Sequence, residues 1–184
     1  ASLPLISFIG RLVADKGADL LPEIISRSLH ELPGEVNFLV LGSGEPHVEW
    51  SLQQTRNEVS YGFNVHIGYN EALSHLIYAG SDFLLMPSRV EPCGLNQLYA
   101  LRYGTVPMVR STGGLKDTVI DFGDKDGFGI RFNQPGVWDA CYSVKRAIEL
   151  YNDTTHLEEI RVRSMHIDHS WGRSAQRYLE EYSY

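Results

Sequence analysis

Glu91 sits in the run Pro87-Ser88-Arg89-Val90-Glu91-Pro92-Cys93-Gly94-Leu95-Asn96-Gln97-Leu98-Tyr99, a short segment carrying one acid and a glycine. The apolar stretch Phe83-Leu84-Leu85-Met86 before it predicts a strand that ends at Pro87. Leu95, Leu98, Tyr99 and Arg102 after it share one helical face, with Gly104 as the stop. Glu91 is thus predicted at the C-terminal end of a strand, facing the N-terminus of a helix. Ligands of open α/β sheets lie outside such strand ends, and helix N-termini attract phosphate. This loop is built to hold a polar, anionic ligand.

Arg11-Leu12-Val13-Ala14-Asp15-Lys16-Gly17 is the second candidate. It reads as the first strand-to-helix loop, which puts both cations at the same sheet edge as Glu91. Two positive charges five residues apart can converge on one diphosphate, Arg11 as a fork and Lys16 as a point charge. Taken alone, a solvated surface loop explains these residues equally well. The neighbouring Glu91 loop favours the functional reading.

Other clusters read as structure. Gly42-Ser43-Gly44 begins like a dinucleotide fingerprint but lacks the third glycine and follows the second strand, so a tight strand-to-helix turn is expected. Asp124-Lys125-Asp126 reads as a solvated turn before Gly127. His166 and His169 have ligand-like spacing but no third ligand nearby, so no metal site is expected. Gly-x-Ser-x-Gly and Walker loops are both missing.

The elements that must position these residues follow from periodicity. Leu5 to Ile9, Val36 to Leu41, Val65 to Ile67, Phe83 to Met86, Val106 to Val109 and Phe128 to Phe132 read as strands alternating with helices. Near-continuous apolar strands with short connections predict an α/β fold, a Rossmann-like, doubly wound parallel sheet of about six strands with helices on both faces. One domain over 1–184 is expected, closing with a helix over 170–184. The opening Ala1-Ser2, entering a strand almost at once, reads as the start of an excised or processed piece.

Sixteen basic residues against 23 acidic give a net charge of −7, which disfavours non-specific binding to nucleic acid or anionic membrane. A phosphate-bearing partner must therefore be held by a local cluster of cations. Cys141 shares a face with Val137, Ala140, Val144 and Ile148 and reads as core; with Cys93 the only other cysteine, a reducing compartment is expected. No apolar run is long enough for a transmembrane helix.

The chain resembles bacterial glycogen synthases and plant starch synthases, retaining glucosyltransferases of the two-lobed GT-B fold. The matching pieces are Arg11-Leu12 with Lys16-Gly17, Gly68-Tyr69 before Glu71 and His75, Met86-Pro87-Ser88-Arg89, Glu91 to Tyr99, Tyr103-Gly104-Thr105, Thr112-Gly113-Gly114-Leu115 with Asp117-Thr118, and Ser170-Trp171. They occur in order over nearly the whole chain, and match the C-terminal, donor-binding lobe alone. The family often carries a second Glu eight positions after the first; Tyr99 stands there, as in the glycogen-synthase branch. Gly10 replaces a usual Ser, and Glu45 a usual Asp.

The resemblance implies transfer of glucose from ADP-glucose to the 4-hydroxyl of an α-1,4-glucan with retention. It implies that Arg11 and Lys16 contact the donor diphosphate, that Tyr69 stacks on adenine, and that Glu91 orients the transferred glucose. Cys93, Gly94, Leu95 and Asn96 would line the pocket with backbone groups. It implies no cofactor and no metal, and an acceptor held by an N-terminal lobe towards which residues 170–184 would pack. A lone donor lobe would be inactive, in the cytoplasm or, in a plant, the plastid stroma. The alternatives are a relative using another donor or acceptor, of the sucrose- or trehalose-forming kind, and a non-catalytic nucleotide- or glucan-binding module.

Overall fold

The computed structural model describes residues 2–183. Its six strands are β1 (Leu5–Leu12), β2 (Asn37–Gly44), β3 (Phe63–Ile67), β4 (Phe83–Met86), β5 (Val106–Arg110) and β6 (Ile130–Phe132). The helices are α1 (Leu21–Glu31), α2 (Pro46–Glu58), α3 (Glu71–Gly80), α4 (Asn96–Tyr103), α5 (Gly113–Thr118), α6 (Val137–Asn152), α7 (Thr154–Met165) and α8 (Trp171–Glu181), with short 3-10 turns over Ala14–Lys16 and Ala18–Leu20.

All strands are parallel, in the order β3-β2-β1-β4-β5-β6. The chain winds outward from β1 in one direction, then returns to lay β4 on the other side of it. The topological switch therefore lies between β1 and β4, and the crevice beyond their carboxyl ends is where ligands of such sheets bind. The two loops singled out from the sequence leave β1 and β4.

Burial on both faces explains the unbroken apolar strands. Phe83 and Leu85 of β4 enter a large cluster with Ile24 and Ile25 of α1, Leu52 of α2 and Val144 of α6. Leu84 and Met86, one residue out of phase, enter a smaller cluster with Tyr78 of α3, Ala100 of α4 and Leu115 of α5. Cys141 lies in the larger cluster as expected, and burial pushes its thiol pKa up. Pro107 sits within an inner strand, one position before β6 begins to pair at Met108.

Two local expectations are corrected. The first strand runs on to Leu12, so Arg11 stands on the strand and only Lys16 on the loop. Gly42-Ser43-Gly44 is the end of β2, paired with Gly10-Arg11-Leu12, and not a turn. Glycine is needed there for close approach: a Cβ on Gly42 would stand 2.0 Å from the Gly10 carbonyl oxygen, and one on Gly44 2.4 Å from that of Leu12. Residue type alone cannot separate this use of glycine from a turn.

Asp124-Lys125-Asp126 is an exposed turn. The last helix starts at its Ser170 cap and buries none of its residues, leaving Trp171, Tyr178 and Leu179 exposed; the expected span reaches Tyr184, outside the described residues. Among the described residues, no helix is long and apolar enough to cross a membrane.

Gly17 joins the two loops at the switch point. Its φ is +67°, and a Cβ there would stand 2.2 Å from the Pro87 carbonyl oxygen, whereas Gly34 has φ +73° with nothing within 4 Å. Left-handed strain alone costs an alanine about 1–2 kcal/mol. Gly17→Ala is therefore expected to destabilise more than Gly34→Ala, by at least about 1 kcal/mol, or roughly 2–4 °C in unfolding midpoint for a chain of this size. Equal midpoints for the two variants would show that the Pro87 loop yields freely.

Candidate functional site

Beyond the ends of β1 and β4 lie two adjoining cavities that share Ile9, Gly10, Arg11 and Asn96 in their walls. The smaller, about 220 Å³, is lined by Lys16, Ser88, Glu91, Gly94 and Leu95. The larger, about 340 Å³, is lined by Tyr69, Glu71, Ser74, His75, Tyr78 and Tyr99. Together they form a cleft with a charged end and an aromatic end, and Arg11 stands between them.

At the charged end, Lys16 Nζ donates to Glu91 Oε2 at 2.5 Å, and Ser88 Oγ reaches the same oxygen at 3.4 Å. The Glu91 side chain is 8% exposed and that of Lys16 27%, so this pair is largely removed from water. A carboxylate so placed needs a cation or several donors. Arg11 is exposed, and its guanidinium finds no hydrogen-bond or ion-pair partner among the described residues. It is available to a ligand.

The floor is the start of α4. Leu98 and Tyr99 N–H both turn to the Leu95 carbonyl, while the N–H groups of Leu95, Asn96 and Gln97 find no acceptor among the described residues. The dipole and these free donors make this end of the helix attractive to an anion. Asn96 Nδ2 donates to the Ile9 carbonyl at 2.6 Å, tying α4 to β1. Gly94 has φ +75°, which lets the chain turn into the helix.

The turn is locked from behind. Gln97 is fully buried, and its Nε2 faces the carbonyls of Cys93 and Gly94 and the Thr118 hydroxyl at 3.0–3.1 Å. The Gly114 N–H donates to the Glu91 and Pro92 carbonyls at 3.0 and 3.1 Å, and a Cβ on Gly114 would stand 2.1 Å from the Cys93 carbonyl oxygen. A Cβ on Gly113, whose φ is +43°, would stand 2.1 Å from the Glu91 carbonyl oxygen, so both glycines at the head of α5 are needed for close approach.

At the aromatic end, Tyr69 stands on the loop after β3, 86% exposed at the mouth of the larger cavity. Asn70 caps α3 by accepting from the Leu73 N–H at 2.9 Å, which ends that loop. Behind it His75, Tyr78, Tyr99 and Tyr103 pack ring on ring, with the His75 Nδ1 and Tyr103 Oη 2.9 Å apart. Burial, helped by the neighbouring Tyr99 phenol, holds the Tyr78 phenol well above its usual pKa, so it stays neutral.

The cleft thus brings together Arg11, Lys16, Glu91, Tyr69, Gly94, Leu95 and Asn96. Cys93 lies beside it: its carbonyl turns to Gln97 and its thiol is exposed. The sequence reading passed over Ser88 and Gln97, because neither belongs to a charged cluster or a periodic face. No group of three His, Cys, Asp or Glu side chains among the described residues is arranged around a metal position.

A doubly wound sheet with two cations and an acid gathered across its switch point offers a site for a polar, phosphate-bearing ligand. Residues 2–156 match the model of the family described as glycosyl transferases group 1, and the chain belongs to that family. It is 58% identical over 182 residues to a glycogen synthase of Flavobacterium johnsoniae, covering 99% of this chain and 38% of that protein. It is 47% identical over 175 residues to a glycogen synthase of Myxococcus xanthus, covering 95% of this chain and 36% of the relative. Among solved structures it superposes on the catalytic domain of starch synthase IV from Arabidopsis thaliana, bound to ADP and acarbose, with a TM-score of 0.87. Identity there is 36%, over 98% of this chain and 38% of that one. The chain therefore spans little more than a third of the length of these relatives, and its fold is that of one GT-B lobe.

Gln97 gives the test of how the floor is held. Gln97→Ala removes the donor that ties the carbonyls of Cys93 and Gly94 together from a fully buried position, a loss on the order of 1–3 kcal/mol. The expected result is a midpoint lowered by several degrees, with faster amide hydrogen exchange concentrated at residues 93–97. Exchange that rises evenly over the whole chain would contradict a local lock.

Proposed function

We propose that this chain is the donor-binding lobe of an ADP-glucose-dependent glycogen or starch synthase. In the complete protein, glucose passes to the 4-hydroxyl of an α-1,4-glucan with retained configuration, and the opposing lobe holds the acceptor. The observation that carries this reading is the cleft itself. Lys16 and Glu91 meet at its charged end, Arg11, without a partner among the described residues, stands midway, and an aromatic wall leads out to Tyr69. The high identity to glycogen synthases supports this branch over relatives with another donor or acceptor, and over a non-catalytic module. The solved starch synthase neighbour with bound ADP supports adenine as the base.

In this reading the adenine stacks on Tyr69 and fills the larger cavity, while the diphosphate spans Arg11 and the free N–H groups at the start of α4. The glucose lies in the smaller cavity against Glu91, with the backbone of Gly94 and Leu95 around it. As the bond from glucose to the β-phosphate breaks and the bond to the acceptor oxygen forms, negative charge grows on the departing ADP, whose β-phosphate takes the proton of the 4-hydroxyl. Arg11 and the α4 amides face the cleft where that charge grows, Lys16 reaches it from its bond to Glu91, and the opposing lobe excludes the water that would otherwise have to rearrange. Glu91 orients the sugar and offsets positive charge developing at its ring. These cations and dipoles meet the leaving group's charge without a metal, so a chelator is expected to leave the rate unchanged.

The exposed Trp171, Tyr178 and Leu179 of α8 are accounted for by packing towards the opposing lobe, in keeping with the resemblance. Without that lobe the reacting carbon has no acceptor and no shield from water, so the chain as it stands transfers no glucose.

Charge on the leaving group is greater in the transition state than in the bound donor, so its stabilisers act on turnover more than on binding. In the two-lobed protein, Lys16→Ala is expected to lower kcat by on the order of 10²–10³, with a smaller rise in donor KM. Glu91→Gln is expected to keep ADP affinity near normal while strongly reducing transfer, because ADP has no glucose for Glu91 to contact. Steady-state kinetics with unchanged kcat in both variants would remove the pair from the reaction.

A further inference from the structure

Arg89 lies two residues before Glu91 in the chain, yet it lines neither cavity. Its guanidinium forks onto Asp19, Nη1 to Oδ1 at 2.5 Å and Nη2 to Oδ2 at 2.8 Å, and Nη1 also donates to the Ala14 carbonyl at 2.6 Å. Its backbone N–H and that of Val90 donate to the Asp15 carbonyl at 2.8 and 3.2 Å. Ala14, Asp15 and Asp19 lie on either side of Lys16 in the chain. One residue therefore grips the Lys16 loop at both ends, while its own backbone leads directly to Glu91.

Two further contacts make the grip stiff. Arg110, at the end of β5, donates from Nε to the Ser88 carbonyl at 2.7 Å and from Nη2 to the Arg89 carbonyl at 2.5 Å, holding the β4 loop from its other side. Gly17 lies so close to the Pro87 carbonyl that a Cβ would collide with it. The loops after β1 and β4 are thus coupled by side chain, backbone and steric contact, and none of these contacts needs a ligand to form.

We propose that Arg89 is a positioning residue for the transfer reaction: its fork on Asp19 fixes the separation of Lys16 and Glu91 across the switch point. The inference rests on the donor-cleft reading above. Lysine is a point charge on a flexible four-carbon stem, so its aim at a growing phosphate charge depends on where its loop is held. A misplacement of about 1 Å at a reacting centre can cost on the order of 10²-fold in rate. Arginine suits the task because the bidentate fork fixes direction as well as distance, which a lysine at position 89 could not do.

The test uses the complete two-lobed protein carrying this lobe, with steady-state transfer from ADP-glucose to glycogen and calorimetric ADP binding. Arg89→Ala is expected to lower kcat by on the order of 10²-fold with donor KM and ADP affinity little changed. Arg89→Lys and Asp19→Asn are expected to show smaller losses in the same direction, and they carry the test if Arg89→Ala does not fold. The decisive readout is a double-variant cycle. If Arg89 acts through Lys16, then Arg89→Ala with Lys16→Ala is no slower than Lys16→Ala alone. Losses that multiply in the double variant, or a kcat retained in Arg89→Ala, would overturn the positioning role while the native protein still transfers glucose. A native protein that transfers none would instead overturn the donor-cleft reading, and this inference with it.

Discussion

A carboxylate almost closed off from water cannot stand alone, and that constraint organises this lobe. Glu91 needs a charge partner, and Lys16 supplies it from a loop 75 residues earlier in the chain. Removing Lys16 would leave the Glu91 charge uncompensated at a place with little access to water. The pair is therefore a structural tie between two loops.

The topology makes that tie possible. The winding of the chain reverses between the parallel neighbours β1 and β4, so the loops leaving these two strands diverge and open a crevice. Close backbone approach then narrows the crevice at chosen points: Gly42 against β1, Gly17 against Pro87, and Gly114 against Cys93. Each is a place where a single methyl group would push apart elements that carry functional side chains. The glycines stand here for proximity, and only some of them, such as Gly17 and Gly94, also for a left-handed turn.

Much of this was legible in the residues. Short unbroken apolar runs placed all six strands and period-3.6 patterns the helices between them, and the loop positions of Lys16 and Glu91 followed. Cys141 was readable as core because it shares a helical face with Val137, Ala140, Val144 and Ile148. What stayed hidden depends on side chains bonding to distant backbone. Gln97 and Arg110 look like ordinary helix and strand-end residues, and nothing in their spacing says that they seize the carbonyls of Cys93 and Gly94 or of Ser88 and Arg89. The extension of β1 through Arg11 was missed for a related reason. Gly10 looks like a terminator, and only the pairing of Gly10 with Gly42 shows that the strand continues.

The most direct test of the central claim is titration of the isotope-labelled 184-residue chain with ADP, followed by amide chemical shifts. Six strands covered on both faces by buried helices give it a core of its own, so the experiment does not need the opposing lobe. The account predicts saturable shifts concentrated at residues 10–17, 68–70 and 94–97, weakened in Tyr69→Ala and preserved in Tyr69→Phe. Shifts centred on α6 and α7, or no shifts at millimolar ADP, would contradict a nucleotide site at the ends of β1 and β4.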